Sequence, residues 1–287
     1  AAIGAASGFE DHVAFNRRYK YSPSNTVIDP EVGVVRLDDP RGNIIGAIVN
    51  YSLHPCIVGD EHISADFPCH ISETIGRAEG CESMFVNGAC GNISHINYAS
   101  DERQFGYDYS RKVGVTLAYE ALKAMQWADT TENCRIRILK EEIQLPLRYP
   151  TEEEVEEAKR RLREGDVRES RDRVYAKELL ILNEMRNIWG SHLRTEIYAL
   201  ALGDILFVTA PGELFVELGL EVKRRSSFKH TFIIELVNDY VGYIPTKEAY
   251  SQGGYEVADK SRHVKLAPGA GELWVEAALR MIDGIVT

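Results

Sequence analysis

Hydrophobic residues along the chain recur with two different periods, which predicts that strands and helices alternate. Short runs rich in apolar and β-branched residues predict strands at "GVVRLDD", "GNIIGAIVNYSLH", "SMFVNGA" and "TFIIELVNDYVGYIPT". Apolar residues at helical spacing predict helices from about residue 67, and at "FGYDYSRKVGVTLAYEALKAM", "ELFVELGLEVKRR" and "GAGELWVEAALRMIDGIV". This order predicts an α/β fold, with a mixed central sheet flanked by helices.

Three further segments have sequence patterns that predict their secondary structure. "LRTEIYALALGDILFVTAPGE" predicts a β-hairpin that turns at Gly203 and Asp204. "CRIRILKEEIQLPL" alternates as an exposed strand does. Residues 151–188 are dense in Glu, Lys and Arg, with apolar residues at helical intervals. We interpret this last stretch as a charged helical insertion within a single domain that spans residues 1–287.

Composition narrows the classes of function. A chain of 287 residues fits one large α/β domain or two small ones. Its net charge of −11 and its pI near 5.3 disfavour a role in binding nucleic acid. No apolar run is long enough to span a bilayer, and five cysteines without a CxxC pair argue against a disulfide scaffold or a cysteine zinc finger. The chain starts without methionine and shows no signal peptide, so the sequence leaves its localisation undetermined.

Residues 50–70, "NYSLHPCIVGDEHISADFPCH", contain three equally spaced histidines, His54, His62 and His70. Prolines and a glycine interrupt this segment, so it does not form one helix with all three histidines on one face. His54 ends a predicted strand, and open α/β sheets bind their ligands at the C-terminal ends of strands. His54 is therefore the candidate functional residue, whereas the other two are typical of a solvated loop and a first helical turn.

Polar, glycine-bearing turns follow four of the predicted apolar strands, which predicts that their side chains converge on one edge of the sheet. A histidine, a glutamate and a tyrosine from separate strand ends are ligands of the kind that zinc accepts. Each motif alone is also typical of ordinary structure, since "APGE" fits a helix start and "NDY" a hydrogen-bonded turn. The residues at these four strand ends are His54; Asn92, Ser94 and His95; Glu213; and Asp239, Tyr240 and Tyr243.

Several of these segments resemble the neutral/alkaline ceramidase family, the zinc-dependent amidases that split N-acyl sphingosine. "NYSLHP" resembles the strand end that supplies a zinc histidine, "APGE" resembles the family's "PGEFT", and "GYIPTKEAYSQGGYE" resembles its "YITTxEEYxxxxYE" run. The resemblance implies Zn²⁺ as the cofactor, with His54, Glu213 and Tyr243 as its ligands. It also implies that Tyr255 faces the substrate, as a candidate to stabilise the oxyanion.

Two matches nearer the N-terminus imply further residues of the site. "FNRRY" resembles the family's Asn-Arg motif, which implies a substrate-binding role for Asn16 and a catalytic role for Arg17. "ISADF" resembles the family's "SSDN"-like turn, which places Asp66 beside the site as a substrate-binding residue.

The segment "GACGNISHIN" resembles the family's "LGDVSPN", and the serine of that segment falls on Ser94. Ser94 is either an acyl-accepting nucleophile, which needs a nearby base, or a group that orients the substrate. Asn92 stands where the family usually has aspartate, and His95 where it usually has proline. The resemblance implies that Asn92, His95 and Tyr240 contact the substrate.

Two parts of the family pattern have no counterpart in this chain. One is an upstream HxHxGP segment, which supplies a further zinc histidine, and the other is a C-terminal immunoglobulin-like domain. We therefore expect a missing N-terminal segment or a second chain to supply that histidine. The predicted function is zinc-dependent hydrolysis of an N-acyl amide, either ceramide or a related compound, by metal-activated water. The alternative is a catalytically inactive, ceramidase-like binding or structural subunit.

Overall fold

The computed structural model describes residues 1–59, 61–164, 171–258 and 260–286. The strands of this part of the chain are β1 (Ala2–Phe9), β2 (Phe15–Asn16), β3 (Glu31–Asp38), β4 (Ile44–Tyr51), β5 (Glu82–Asn87), β6 (Ile93–Ser94), β7 (Ile136–Pro146), β8 (His192–Leu202), β9 (Ile205–Thr209), β10 (Glu213–Leu214), β11 (His230–Ile234) and β12 (Tyr243–Ile244). Its helices are α1 (Asp66–Glu79), α2 (Tyr107–Met125), α3 (Glu152–Glu164), α4 (Arg171–Trp189), α5 (Val216–Arg225), α6 (Ala249–Gln252) and α7 (Ala270–Val286), with a 3₁₀ turn at Arg17–Lys20.

The N-terminal half forms a mixed sheet with the strand order β1-β3-β4-β5. The pairs β1–β3 and β3–β4 are antiparallel, whereas β4 and β5 are parallel. Because parallel neighbours need a crossover connection, helix α1 lies between β4 and β5 in the chain. Helices α1 and α2 cover the outer face of this sheet with buried apolar side chains, among them Phe67, Ile71 and Leu117.

The C-terminal half repeats this arrangement with β7, β8, β9 and β11. Here β7–β8 and β8–β9 are antiparallel, β9 and β11 are parallel, and helix α5 provides the crossover. Helix α7 packs against β7 and β8, and its buried Trp274 donates a hydrogen bond to the carbonyl of Thr209. The two halves therefore share one topology, although their sequences show no repeat.

The inner faces of the two sheets pack on each other. Ala5 and Val35 of the first sheet belong to one buried cluster with Phe207 and Phe232 of the second. A Cβ atom added at Gly33 would lie 2.3 Å from the ring of Phe232, so glycine permits this close approach of the sheets. The predicted α/β class, with mixed sheets flanked by helices, is confirmed. The structure refines the single central sheet to two packed sheets, because strands buried on both faces have the same apolar pattern in either arrangement.

The charged stretch 151–188 contains helices α3 and α4, which pack against each other. Residues 165–170, between the two helices, lie outside the described residues. Lys260 forms an ion pair with Glu154 of α3, and Arg262 forms a two-point ion pair with Glu178 of α4. The two helices are thereby tied to the segment that precedes α7. No helix in the described parts of the chain is both long enough and apolar enough to cross a membrane.

Two short strand pairs connect the sheets to the candidate residues. Strands β1, β4 and β5 run in one direction, and so do β7, β9 and β11, so each group has its C-terminal ends at one edge of its sheet. Beyond these ends, β2 pairs with β6, and Ser94 lies opposite Phe15. Similarly, β10 pairs with β12, and Glu213 lies beside Tyr243. The sequence-predicted residues therefore lie on loops that leave the same edges.

Candidate functional site

His54 and Glu213, one from each half of the fold, meet in the structure. Nε2 of His54 lies 2.8 Å from a carboxylate oxygen of Glu213, and both side chains are mostly buried. Nδ1 of His54 lies 2.5 Å from the carbonyl oxygen of Cys90 and 3.1 Å from that of Ile93. Since carbonyls only accept hydrogen bonds, Nδ1 carries the proton and donates it. This contact orients the ring so that Nε2 faces Glu213.

Glu213 is surrounded by hydrogen-bond donors. Tyr240 donates from its hydroxyl to the second carboxylate oxygen over 2.7 Å, and Tyr243 also hydrogen-bonds to the carboxylate. Burial alone would raise the pKa of Glu213, but the hydrogen bonds with His54, Tyr240 and Tyr243 outweigh it and hold the pKa below its usual value. Glu213 is therefore a carboxylate at neutral pH.

The two tyrosines are neutral phenols at neutral pH. Burial raises the pKa of Tyr243 well above its usual value, and the nearby charge of Glu213 adds to this, although Arg17 opposes it. Burial also raises the pKa of Tyr240, and its hydrogen bond to Glu213 adds to the shift. Each phenol thus retains a proton to donate to Glu213.

Arg17 lies on one side of Tyr243. Its guanidinium is 5.4 Å from the centre of the Tyr243 ring, and Nη2 donates to the carbonyl of Gly91 over 2.6 Å. Nε lies 2.7 Å from the carboxylate of Glu256, which is itself buried and also accepts a hydrogen bond from Arg18. The position of Arg17 is therefore fixed by contacts on several sides.

Tyr255 also packs against Tyr243. Its ring meets that of Tyr243 edge to face, with 5.7 Å between the ring centres. About half of Tyr255 is exposed, whereas Tyr243 is buried. Tyr255 is therefore the solvent-exposed member of this aromatic pair.

Ser94 is buried on β6, directly after Ile93, whose carbonyl contacts His54. Its hydroxyl oxygen accepts a hydrogen bond from the backbone N–H of Ile96. Among the described residues, no histidine, aspartate or glutamate is hydrogen-bonded to this hydroxyl. The base that a serine nucleophile needs is therefore not in place within this part of the chain.

Asn16 and Asn92 both contact Glu217, in the first turn of α5. Asn92 also accepts from the backbone N–H of Val216, and Asn16 accepts from that of Arg18. Both amides are thus engaged in holding loops against α5. Substrate contact stays a prediction for these two residues, and the role observed here is positioning.

Asp66 also orders the backbone. Its carboxylate accepts from the N–H groups of Ile57 and Val58, on the loop that follows His54, and from the hydroxyl of Ser110. Its backbone φ of 53° is left-handed, which an aspartate with local hydrogen bonds tolerates. Asp66 therefore supports the loop of His54, and its predicted contact with substrate is untested.

His95 is buried and packs edge to face against Phe105, with 5.0 Å between the ring centres. Nδ1 lies 3.9 Å from the sulfur of Cys56, while Nε2 has no partner among the described residues. Burial lowers the pKa of His95, so its ring is neutral at neutral pH. Its role in binding substrate stays a prediction.

The donor set around Glu213 fits zinc in its chemistry. Two zinc ligands at about 2.0 Å in a tetrahedral arrangement lie roughly 3.3 Å apart. Nε2 of His54 and the Glu213 oxygen are 2.8 Å apart in direct hydrogen-bond contact, so an ion between them requires only a small separation of the two side chains. A zinc-bound histidine commonly donates its other N–H to a carbonyl, as His54 does here. Within the described residues, no third His, Cys, Asp or Glu places a ligand atom within 4.8 Å of both partners. The role of Tyr243 as the third ligand stays a prediction.

Four acidic or basic residues near this centre are not identified by the sequence analysis. Glu256 anchors Arg17, Glu217 braces the two asparagines, and Nδ1 of His263 lies 3.2 Å from the hydroxyl of Tyr240. Glu235 is a fourth such residue and is buried at the end of β11. The sequence feature that could have identified Glu235 is its position directly after the apolar run "TFII".

A hollow of about 680 Å³ opens beside β2. Phe15 and Asn16 of β2 form part of its wall, and Phe15 pairs with Ser94 across the strands. Most of its lining is apolar or aromatic, and among the described residues Asp11 is the charged side chain in it. Its volume lies within the range of small-molecule binding sites.

Neither a protein-family model nor a curated protein sequence matches the chain. Solved structures match it in fold. A neutral ceramidase from Pseudomonas aeruginosa has a TM-score of 0.73 at 18% sequence identity, over 99% of this chain and 52% of its own. A ceramidase complexed with C2 has a TM-score of 0.74 at 15% identity, over 98% of this chain and 53% of its own. The chain therefore has a ceramidase-like fold and spans about half the length of these two proteins.

Proposed function

We propose that the protein is a zinc-dependent hydrolase that cleaves an N-acyl amide, either ceramide or a related compound. One observation carries the proposal. The imidazole of His54, the carboxylate of Glu213 and the phenol of Tyr243 meet where loops from both halves of a ceramidase-like fold come together. These are the nitrogen and oxygen donors that zinc sites use.

His54, Glu213 and Tyr243 are the residues that would hold the ion. The contact of Nδ1 with Cys90 leaves Nε2 of His54 directed at Glu213. When bound, zinc supplies a Lewis acid that polarises a carbonyl and lowers the pKa of water to about 7. A further histidine, from an N-terminal segment or a second chain, stays part of the proposal.

Arg17 and Tyr255 are proposed to stabilise negative charge on the substrate oxygen. Both lie against Tyr243, and both side chains donate hydrogen bonds. Glu256 and Gly91 hold Arg17 in place before any substrate arrives, which is the preorganisation that makes such donors effective. Tyr255 is the more exposed of the two and is placed to meet the substrate.

Ser94 is proposed to orient the substrate. No carboxylate or imidazole among the described residues is hydrogen-bonded to its hydroxyl, so its proton has no acceptor that would activate it. The hydroxyl retains the ability to donate to an amide carbonyl. This favours the orienting role over the nucleophilic one.

The apolar hollow beside β2 supports an acyl compound as the substrate. Its lining from Phe9, Phe15, Tyr19, Val27 and Tyr98 offers hydrocarbon and aromatic surface. Burying a methylene group contributes about 0.8 kcal/mol, so a long acyl chain would gain affinity there. Its link to the site is through β2, because Phe15 in its wall pairs with Ser94 on β6, whereas His54, Glu213 and Tyr243 do not line it.

Hydrolysis of N-acyl amides tests this function directly. With zinc present, the purified protein should release fatty acid from N-acyl sphingosine or from another N-acyl amide in a panel of chain lengths. The released acid is measured by mass spectrometry. Zinc binding without hydrolysis of any member of the panel would instead identify a catalytically inactive binding subunit.

Replacing Tyr255 with phenylalanine should lower turnover about 100- to 1000-fold, the usual effect of losing one oxyanion donor. The zinc content should stay at the wild-type level, because Tyr255 is not among the predicted ligands. Steady-state kinetics and metal analysis check both parts. Tyr119→Phe, on the exposed surface of α2, is the matched control and should leave both unchanged. Loss of zinc from Tyr255→Phe, or full activity, would contradict the oxyanion role.

A further inference from the structure

Glu235 directly follows strand β11 and is almost fully buried, at 4% exposure. Its carboxylate lies between the loop that leaves β5 and the strand β10. One oxygen accepts from the backbone N–H groups of Cys90 and Leu214, each over 3.1 Å. The other accepts from the thiol of Cys90 over 2.9 Å. The side chain thus joins one segment from each half of the fold.

Each of these two segments carries a member of the candidate site. The carbonyl of Cys90 accepts the Nδ1 hydrogen bond of His54, and Leu214 directly follows Glu213 in β10. Since one carboxylate fixes both Cys90 and Leu214, it also sets the spacing between the imidazole of His54 and the carboxylate of Glu213.

Burying the carboxylate of Glu235 in the core costs free energy. Burial raises the pKa of Glu235 to about 7, and among the described residues no lysine or arginine forms an ion pair with it. An apolar side chain would avoid that cost but would leave the N–H groups of Cys90 and Leu214 without an acceptor. The observed geometry therefore depends on an acceptor at this position.

We propose that Glu235 is a positioning residue of this site, which holds Cys90 and Leu214 so that His54 and Glu213 are oriented for a common ligand. This inference rests on the proposed function for its link to catalysis, but the geometry it predicts is a property of the protein without metal. Glu235 acts by accepting hydrogen bonds. This role requires a side chain of the right length with an acceptor oxygen at its end.

Three substitutions at Glu235 distinguish the effect of side-chain length from that of the acceptor oxygen. Glu235→Ala removes the acceptor and should lower zinc affinity about 10- to 100-fold, the usual effect of losing a residue that supports a metal ligand. Glu235→Asp retains the acid but shortens the side chain, so it should lose affinity as alanine does. Glu235→Gln retains one acceptor oxygen at the right length and should restore most of the affinity. Zinc affinity is measured by competition with a chelator of known strength.

A second measurement needs no metal. In the metal-free protein, the Nδ1 proton of His54 should give a slowly exchanging, downfield NMR signal, because it is buried in its contact with Cys90. The signal should persist in Glu235→Gln and be lost in Glu235→Ala and Glu235→Asp. If the alanine variant fails to fold, the aspartate variant is compared with the glutamine variant in the same way.

Ile233→Ala is the matched control. Ile233 lies in β11, two residues before Glu235, and is similarly buried, so its truncation destabilises the core, but its side chain has no group that hydrogen-bonds to Cys90 or Leu214. It should retain both the zinc affinity and the NMR signal. Wild-type affinity and signal in Glu235→Ala, or equal losses in Ile233→Ala, would overturn the proposal. If the wild-type protein binds no zinc, the proposed function fails, and the NMR comparison still decides the role of Glu235.

Discussion

Replacing Glu213 with glutamine should abolish zinc binding at this site and lower amide hydrolysis by at least about 1000-fold, because a bound metal contributes several kcal/mol to stabilising the transition state. The amide of glutamine is neutral and cannot replace the negative charge that faces Nε2 of His54. Its Oε1 still accepts from Tyr240, so the side chain should keep its place. Metal analysis and steady-state kinetics on the same sample measure the two effects.

The control for this substitution is Glu276→Gln, on the exposed surface of α7. It removes the same charge without touching the site, so zinc content and turnover should match the wild-type protein. Should Glu213→Gln bind one zinc per chain as tightly as the wild type, Glu213 is not a ligand. The metal centre would then lie elsewhere.

Replacing Arg18 with methionine should lower the free energy of unfolding by about 3–5 kcal/mol, the usual cost of removing one partner from a buried ion pair. Arg18 is 1% exposed, and methionine fills part of its volume but offers no donors. Glu256 would keep Arg17 as its remaining cationic partner. Urea unfolding measures the change. The acceptors that lose a donor are Glu256, the carbonyls of Ala249 and Gly253, and the side chain of Gln252.

Arg224→Met serves as the comparison, because Arg224 is exposed on α5 and pairs with Glu221 in solvent. An exposed pair of this kind contributes no more than about 1 kcal/mol. Equal, small effects of the two substitutions would show that the contacts of Arg18 do not stabilise the loop that carries Tyr255 and Glu256.

Much of the site could be predicted because its residues lie at the ends of recognisable strands. The apolar run before His54 forms β4, and the hairpin turn at Gly203 and Asp204 leads into β9 and then to Glu213. These local patterns fix where each side chain leaves the sheet. The structure then brings His54, Glu213 and Tyr243 into contact, while their roles as zinc ligands stay predictions.

The parts that sequence reasoning missed depend on contacts between distant segments. β1 is built mostly of alanine, glycine and serine, so it lacks the apolar pattern of a strand and is formed by pairing with β3. The packing of two sheets follows from close approaches such as Gly33 to Phe232. Asn16 matched a family motif and Asn92 stands where the family usually has aspartate, but only the fold shows that Glu217 engages both amides.

Removal and return of zinc test the central claim most directly. The purified protein is stripped with a chelator, and release of fatty acid from an N-acyl amide is measured before and after zinc is added back, in wild type and in His54→Ala. We predict that the stripped wild-type protein is inactive and that one equivalent of zinc per site restores it, whereas His54→Ala stays inactive at the same zinc concentration. Hydrolysis that persists without zinc, or full recovery of His54→Ala, would contradict a metal centre built on His54 and Glu213.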